Sequence, residues 1–391
     1  MPPVFKGVGV AATERPPRWP VRIWQAVAAR WRGLLGSVLA GSTAGTASGA
    51  VLPEDKAETL FHLYDGGGVR ASGPALLVRK SLFDRVSLSA QVYVDAVSNA
   101  SIDVVTSASP FKETRTAYDF SADTVVRDAT LSVGVSRSTE PDYMAEAMNF
   151  DVAHEVFGNT TTVSLGFTRG RDHVGKTGVQ GWIDQAMHWQ YRAGLTQILS
   201  PRWLMSANFE VISDSGYLGS PYRGARVFGA TVPERNPRTR TSRAARLRSI
   251  TDTGAVLPRS SLRVEYRYYW DTWGIKAHTF EVGGSRYIGQ GFLLDVSLRS
   301  YSQGKALFYS DDAQAETLYV SRNRQLSTFG STALAARLSY SWPGLRTGYE
   351  LKLTGAYEFK RFRYQDFTDL RTGGLYAHNA NLLQLYVSAT F

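Results

Sequence analysis

The sequence predicts an all-β fold: a closed antiparallel transmembrane β-barrel of about 16 strands, within a range of about 14 to 18. Three observations carry that prediction. Apolar and polar residues alternate with period two along many segments, short and long connections alternate between those segments, and the last segment ends on an aromatic residue, Phe391. The expected layout has short periplasmic turns and longer extracellular loops.

Hydrophobic residues make up 43% of the chain, yet the mean hydropathy is -0.21, so apolar side chains are plentiful but dispersed. Alternation disperses them in this way. Aromatics reach 12%, with 20 Tyr, 18 Phe and 9 Trp, a bias that suits strands and the interfacial girdles of membrane barrels. Beyond Ala50 no apolar run approaches the roughly 18 residues of a transmembrane helix. The absence of cysteine excludes disulfides, thiolate metal sites, covalent c-type haem and a lipidated N-terminal cysteine, and no cofactor is expected.

The net charge of +10 is concentrated at one end. Residues 1–50 carry Lys6, Arg15, Arg18, Arg22, Arg30 and Arg32 against Glu14 alone, which accounts for half of the excess. The basic stretch is followed by apolar and small residues over 33–47 and by Ser48, Gly49 and Ala50, the three-part layout of a secretory signal. Residues 1–50 are therefore read as a signal peptide and 51–391 as the barrel.

The strands follow in order. Val86, Leu88, Ala90, Val92, Val94 and Ala96 share one face, with Ser87, Ser89, Gln91 and Asp95 on the other. Leu262, Val264, Tyr266, Tyr268 and Trp270 likewise oppose Arg263, Glu265 and Arg267. The same reading places strands at 59–65, 75–82, 86–98, 115–126, 129–139, 142–153, 160–170 and 183–199. The second half gives 202–214, 241–251, 260–270, 276–288, 291–302, 328–342, 345–364 and 379–391. Short turns fall at 83–85, 200–201, 289–290 and 343–344, and long loops at 99–114, 171–182, 215–240, 303–327 and 365–378. Alternation alone also fits a soluble periplasmic β-sandwich; the rhythm of connections favours the barrel.

At the C-terminus Leu383, Leu385, Val387, Ala389 and Phe391 share a face. A final aromatic on such a strand resembles the recognition signal of the outer-membrane barrel assembly machinery, with Phe391 and Tyr386 as its aromatic members. The expected location is the Gram-negative outer membrane after export. Its lipid and lipopolysaccharide are the expected surroundings, with outward aromatics Trp189, Trp203, Trp270, Trp342 and Tyr386 near the headgroups.

Several segments carry a family resemblance: 73–80 (GPALLVRK), 93–109 (YVDAVSNASIDVVTSAS), 209–217 (FEVISDSGY), 266–279 (YRYYWDTWGIKAHT), 237–242 (PRTRTS), 308–311 (FYSD) and 326–329 (LSTF). Together they resemble a proteobacterial family of unknown function whose members are predicted outer-membrane barrels. That family often has an acidic residue where this chain has Gln325. Its genes often neighbour those of a flavin transferase and a thioredoxin-like protein, which implies a periplasmic, redox-related partner. The resemblance supplies no catalytic residue.

The chemistry-bearing residues are sparse. His62, His154, His173, His188, His278 and His378 show no metal-ligand spacing. Asp271 and His278 flank one short loop with Trp270 and Trp273, and an Asp-His pair at a barrel mouth is the basis of an alternative reading as an outer-membrane enzyme. Asp311, Asp312 and Glu316 are candidate calcium ligands, against ordinary solvated loop acids. The run Gly66 to Gly68 is a turn rather than a phosphate cradle.

The strongest basic feature is Arg238, Arg240, Arg243, Arg246 and Arg248. Arg246 and Arg248 share a strand face, where they would favour anions in a lumen, contact lipopolysaccharide phosphates, or pair with Glu265, Asp95 or Asp123. Interleaved aromatics of a nucleic-acid site are missing, so no nucleic acid is expected. Asp95, Asp123, Arg246, Arg248, Arg263, Glu265 and Arg267 are the expected lumen-lining charges. The expected function is a channel or transport barrel, or a membrane platform for a periplasmic partner, and not an enzyme.

Overall fold

The computed structural model describes residues 50–99, 111–176, 178–179, 181–346 and 349–391. Residues 1–49 of the signal expected over 1–50, and 100–110 of the loop expected at 99–114, lie outside the described residues. The strands are β1 (Lys56–Gly66), β2 (Val69–Leu82), β3 (Val86–Asn99), β4 (Phe111–Val126), β5 (Ala129–Glu140), β6 (Tyr143–Val156), β7 (Thr161–Gly175), β8 (Ile183–Ser200) and β9 (Trp203–Gly216). They continue as β10 (Gly224–Val227), β11 (Ala230–Pro233), β12 (Thr239–Asp252), β13 (Ser260–Asp271), β14 (Lys276–Ile288), β15 (Phe292–Gln303), β16 (Phe329–Arg346), β17 (Tyr349–Thr368) and β18 (Leu375–Thr390).

Among the described residues sixteen strands form one closed antiparallel barrel, each paired with its neighbour in sequence, and β10 and β11 form a separate hairpin that leaves β9 beside β12. Closure is made by β1 against β18, from Lys56 opposite Thr390 to Gly66 opposite Ala380. The start of β1 and the end of β18 therefore lie at the same end of the barrel, called the terminal end below. The expected strands correspond one for one to the barrel strands, while the β10–β11 hairpin lies inside what reads in sequence as a single loop.

Alternation is the reason these segments are strands. Leu88, Val92, Tyr118, Phe120, Val133, Val135, Leu165, Leu195, Leu247, Tyr266, Leu298, Leu334, Leu353 and Leu385 all stand exposed on the outer face. That face is apolar around the whole circumference. In water it would be an aggregation surface, and in a bilayer it is matched to lipid. The inner face carries the polar partners, with Ser87, Asp95 and Asp123 buried.

Turns at the end holding the termini are mostly tight. At the opposite end Gly67 and Gly68, at φ of 60° and 78°, close the β1–β2 hairpin in the left-handed region that glycine tolerates. That end also carries the long connections, 217–238 and 304–328. One expected turn is displaced: β16 runs through Pro343 and Gly344 to Arg346, and an irregularity in pairing between Trp342 and Arg346 absorbs the extra residues.

At the terminal end Asp55 ties the seam. Its carboxylate lies 2.6 Å from Lys80 Nζ and accepts the Ser81 N–H at 2.5 Å, while its carbonyl accepts the Phe391 N–H at 3.1 Å. The hydrogen bonds from Lys80 and Ser81 hold the Asp55 carboxyl at about 2, below its ordinary 3.8. A carboxyl depressed on folding contributes stability that is present above the ordinary value and lost as pH falls through the folded one. Amides at the terminal end of β1 and β2 should thus lose protection, relative to their intrinsic exchange rate, as pH falls from 4 to about 2, a change that Asp55→Asn abolishes. Hydrogen exchange of the detergent-solubilised barrel reads this directly, and an equal response in the variant would refute the clasp.

Candidate functional site in the lumen and at its mouth

The inner wall of a large barrel holds the groups that meet anything passing through it. The expected lumen residues share that wall. Arg248 Nε donates to Glu265 Oε2 at 2.6 Å across β12 and β13. Arg263 donates to Glu281 at 3.0 Å and stands 3.8 Å from Asp295, which also faces Arg337 at 3.6 Å. Asp123 accepts from Ser132 at 2.5 Å and lies 3.7 Å from Arg79. Such same-face pairs follow from the cross-strand register.

Arg246 and Arg267 are exceptions. They sit directly opposite each other in the β12–β13 register, and among the described residues neither enters an ion pair. Arg267 lies over the Tyr269 ring at 5.7 Å. The two guanidinium groups stand side by side on the lumen wall, with Glu265 and Glu210 close enough to act on Arg246 without forming an ion pair. The sequence brings them together because each is on the inward parity of its strand.

Asp95 pairs instead with His62, whose Nε2 lies 2.7 Å from Asp95 Oδ1; both are almost wholly buried. The two residues stand on β3 and β1 with β2 between them. Gly73 on β2, opposite His62, makes this reach possible: a Cβ there would fall 1.7 Å from the Val94 carbonyl oxygen. The β2–β3 pairing skips Gly73 and Pro74. Tyr93 stacks on His62 with ring centroids 5.2 Å apart and interplanar angle 9°. A glycine followed by proline inside a strand marks a close backbone approach and could have signalled the site in the sequence.

A second histidine cluster also went unread in the sequence. His188 Nδ1 lies 2.7 Å from Asp214 Oδ1 and its Nε2 lies 2.8 Å from Asp172 Oδ2, while Tyr143 donates to the same Asp172 oxygen. Four neighbouring strands, β6 to β9, are thereby tied on the inner face. Two expectations are corrected. Asp271 faces inward to Arg240, at 2.6 Å, whereas His278 faces outward and its Nδ1 lies 2.7 Å from Tyr266 Oη, so strand parity separates the supposed Asp-His pair. Tyr386 points inward and donates to Gln384, so Phe391, on the outer face, is the outward aromatic of the last strand.

Across the mouth opposite the termini the long loops form a strap. Tyr222 donates to Asp142 in the β5–β6 turn. Ser321 donates to Glu234, and Arg235 and Val320 exchange two backbone hydrogen bonds at 2.9 Å, joining loop 217–238 to loop 304–328. Arg322 then donates to the Thr368 carbonyl at 2.6 Å and to the Asp311 carbonyl at 2.9 Å, and its guanidinium lies 2.7 Å from Asp311 Oδ1, reaching the β17 end. The strap is seated on a core of Ile275, Ala306, Tyr309, Leu326, Phe329 and Phe367, where loop residues meet the inner wall.

The strap also decides the placement of the expected calcium ligands. Asp311 is turned to Arg322 and the Thr368 N–H, whereas Asp312 accepts from the Gly229 N–H at 2.9 Å and faces Arg226 at 3.8 Å. The two carboxylates diverge, and among the described residues no three acidic or histidine side chains converge as a metal centre requires.

An even-stranded, closed, antiparallel barrel with an apolar exterior, a charged interior and loops gathered over one mouth defines the class: a transmembrane β-barrel of the outer-membrane type. The chain belongs to the family described as Protein of unknown function (DUF3570), whose model matches residues 35–186 and 180–357. No curated protein matches it. Among solved structures it is similar to the siderophore receptor PirA from Pseudomonas aeruginosa, at 11% identity and TM-score 0.42 over 81% of this chain and 57% of that one. It therefore spans less than two thirds of that receptor. A Pseudomonas aeruginosa FadL homologue is similar at 11% identity and TM-score 0.41, over 87% of this chain and 90% of the other. OmpT, an outer membrane protein of Vibrio cholerae, is similar at 9% identity and TM-score 0.45, over 85% and 96%.

Two substitutions test the buried inner-wall site. Gly73→Ala forces the added methyl into the Val94 carbonyl and should cost about 1–3 kcal/mol. His62→Ala leaves the Asp95 carboxylate buried without its partner and should cost about 1–3 kcal/mol as well. Urea unfolding of the refolded barrel in detergent measures both, and a midpoint unchanged in His62→Ala would show that the pair does not stabilise the fold.

Proposed function

We propose that the protein is a channel of the Gram-negative outer membrane, with its termini in the periplasm and its strapped mouth outward, that passes small anionic solutes. The observation that carries this reading is the unpaired Arg246–Arg267 couple on the lumen wall. Two supports stand beside it. Barrels of sixteen strands have a circumference that leaves an aqueous interior. Nearby charges neutralise one another as Arg248–Glu265, Arg263–Glu281 and Arg337–Asp295, and Arg246 and Arg267 stand with Arg115 and Lys352 among the inner-wall cations that enter no ion pair among the described residues, an excess that favours anions.

The strap supplies a size limit. Its loops are held by hydrogen bonds and by a seated apolar core rather than left loose, so it narrows the entrance permanently instead of opening with each solute.

Reconstitution into planar bilayers under a salt gradient tests the reading. The reversal potential of the wild type should report anion preference, and Arg246→Gln with Arg267→Gln should reduce the anion-to-cation permeability ratio by about twofold or more. Removal of residues 306–326 should raise single-channel conductance. An absence of conductance in both the intact and the shortened protein would overturn the channel reading.

A further inference from the structure

Arginines on the outer face have no counterpart in the lumen chemistry. On β17 Arg361 and Arg363 point outward and are exposed. In register they face Thr332 and Gly330 of β16 on one side and Asn379 and Ala377 of β18 on the other, four neutral and mostly small neighbours. Among the described residues neither guanidinium enters an ion pair.

Their height is informative. Below them on the same face run Tyr349, Leu353, Tyr357 and Phe359, all exposed. The rise from Tyr349 to Phe359 along a strand tilted about 40° is about 25 Å, which matches the apolar band of a membrane barrel. Tyr349 and Phe391, with ring centroids 6.3 Å apart, mark the band's lower edge near the termini. Arg361 and Arg363 thus stand one step above its upper edge. On β7 exposed Arg169 and Arg171 also follow apolar Leu165 and Phe167, with Arg169 4.9 Å over the Trp189 ring, but there the exposed Glu146 of β6 stands opposite Arg171 in register, so the two neutral-flanked arginines of β17 differ from them.

We infer that Arg361 and Arg363 form a binding surface for the phosphate groups of lipopolysaccharide in the outer leaflet. This inference rests on the outer-membrane orientation proposed above. The planar, multiply donating guanidinium suits a phosphate, and two of them at adjacent outward positions can grip one phosphate or bridge two. The small residues on either side leave room for a headgroup to lie against the strands. A phosphorylated glycolipid fits this surface better than a protein partner because the β17 residues beneath, Leu353, Tyr357 and Phe359, are exposed apolar and aromatic side chains, broken only by Asn381 beside Tyr357, that acyl chains cover.

The test uses the full chain purified in detergent and titrated with purified lipopolysaccharide and with the same lipopolysaccharide after enzymatic dephosphorylation. The wild type should bind the phosphorylated form at least about fivefold more tightly, R361Q/R363Q should lose most of that difference, and R361K/R363K should keep part of it. Heat-modifiable migration of each variant confirms an intact barrel. Equal binding by R361Q/R363Q and wild type, with both barrels intact and in the outer-membrane fraction, overturns the surface while leaving the channel reading untouched. Recovery of the wild type outside the outer membrane overturns the orientation itself, and this inference with it.

Discussion

Backbone hydrogen bonding without water is the constraint on which everything else in this structure depends. Inside a bilayer an unpaired N–H or C=O has no solvent to turn to, so a sheet that crosses lipid must have no edges. Here that requirement is met by the pairing of β1 with β18 along all eleven residues of β1. Once the sheet is closed, each strand has one face toward lipid and one toward the lumen, and the parity of every residue becomes a decision between the two environments. The outer face is filled by leucine, valine and aromatics, and the inner face receives the charges.

The inner wall shows how costly charges are accommodated. Most carboxylates and guanidinium groups neutralise one another across neighbouring strands, which the register brings within reach. Where the natural partner is two strands away, the chain removes an obstacle instead: Gly73 lets His62 reach Asp95 over β2. The result is a wall whose net field is set by the few groups left over, and Arg246 and Arg267 are conspicuous among them.

The barrel was legible in the sequence because its signal is local. A residue such as Leu88 or Tyr266 declares its face by its neighbours at two-residue spacing, and the extended β17 and β18 follow from the same pattern. Facts that depend on three-dimensional neighbours were not legible. His62 and Asp95 are 33 positions apart, and Asp172, His188 and Asp214 come from three strands whose register no local pattern fixes. The aromatic character of Tyr386 suggested a girdle position, although parity, between Leu385 and Val387, already puts it on the inner face. The adjacency of Asp271 and His278 in a loop likewise suggested a pair that strand parity forbids. The β10–β11 hairpin, of four residues per strand, is too short to carry a periodic signal, and its partners lie in loop 304–328.

The seam has a further meaning for how the molecule comes into being. Glu58 and Ser388, hydrogen-bonded at 3.2 Å, are separated by 330 positions, so the contact that seals the sheet joins the start of the first strand to the end of the last. Such a contact carries a high loop-closure entropy, and it cannot form until β18 has been synthesised. Up to that moment two raw strand edges are open to any other β-forming chain. A polypeptide that stops short lacks β18 and remains open for good, so the same strand that finishes the cylinder also distinguishes a whole chain from a broken one.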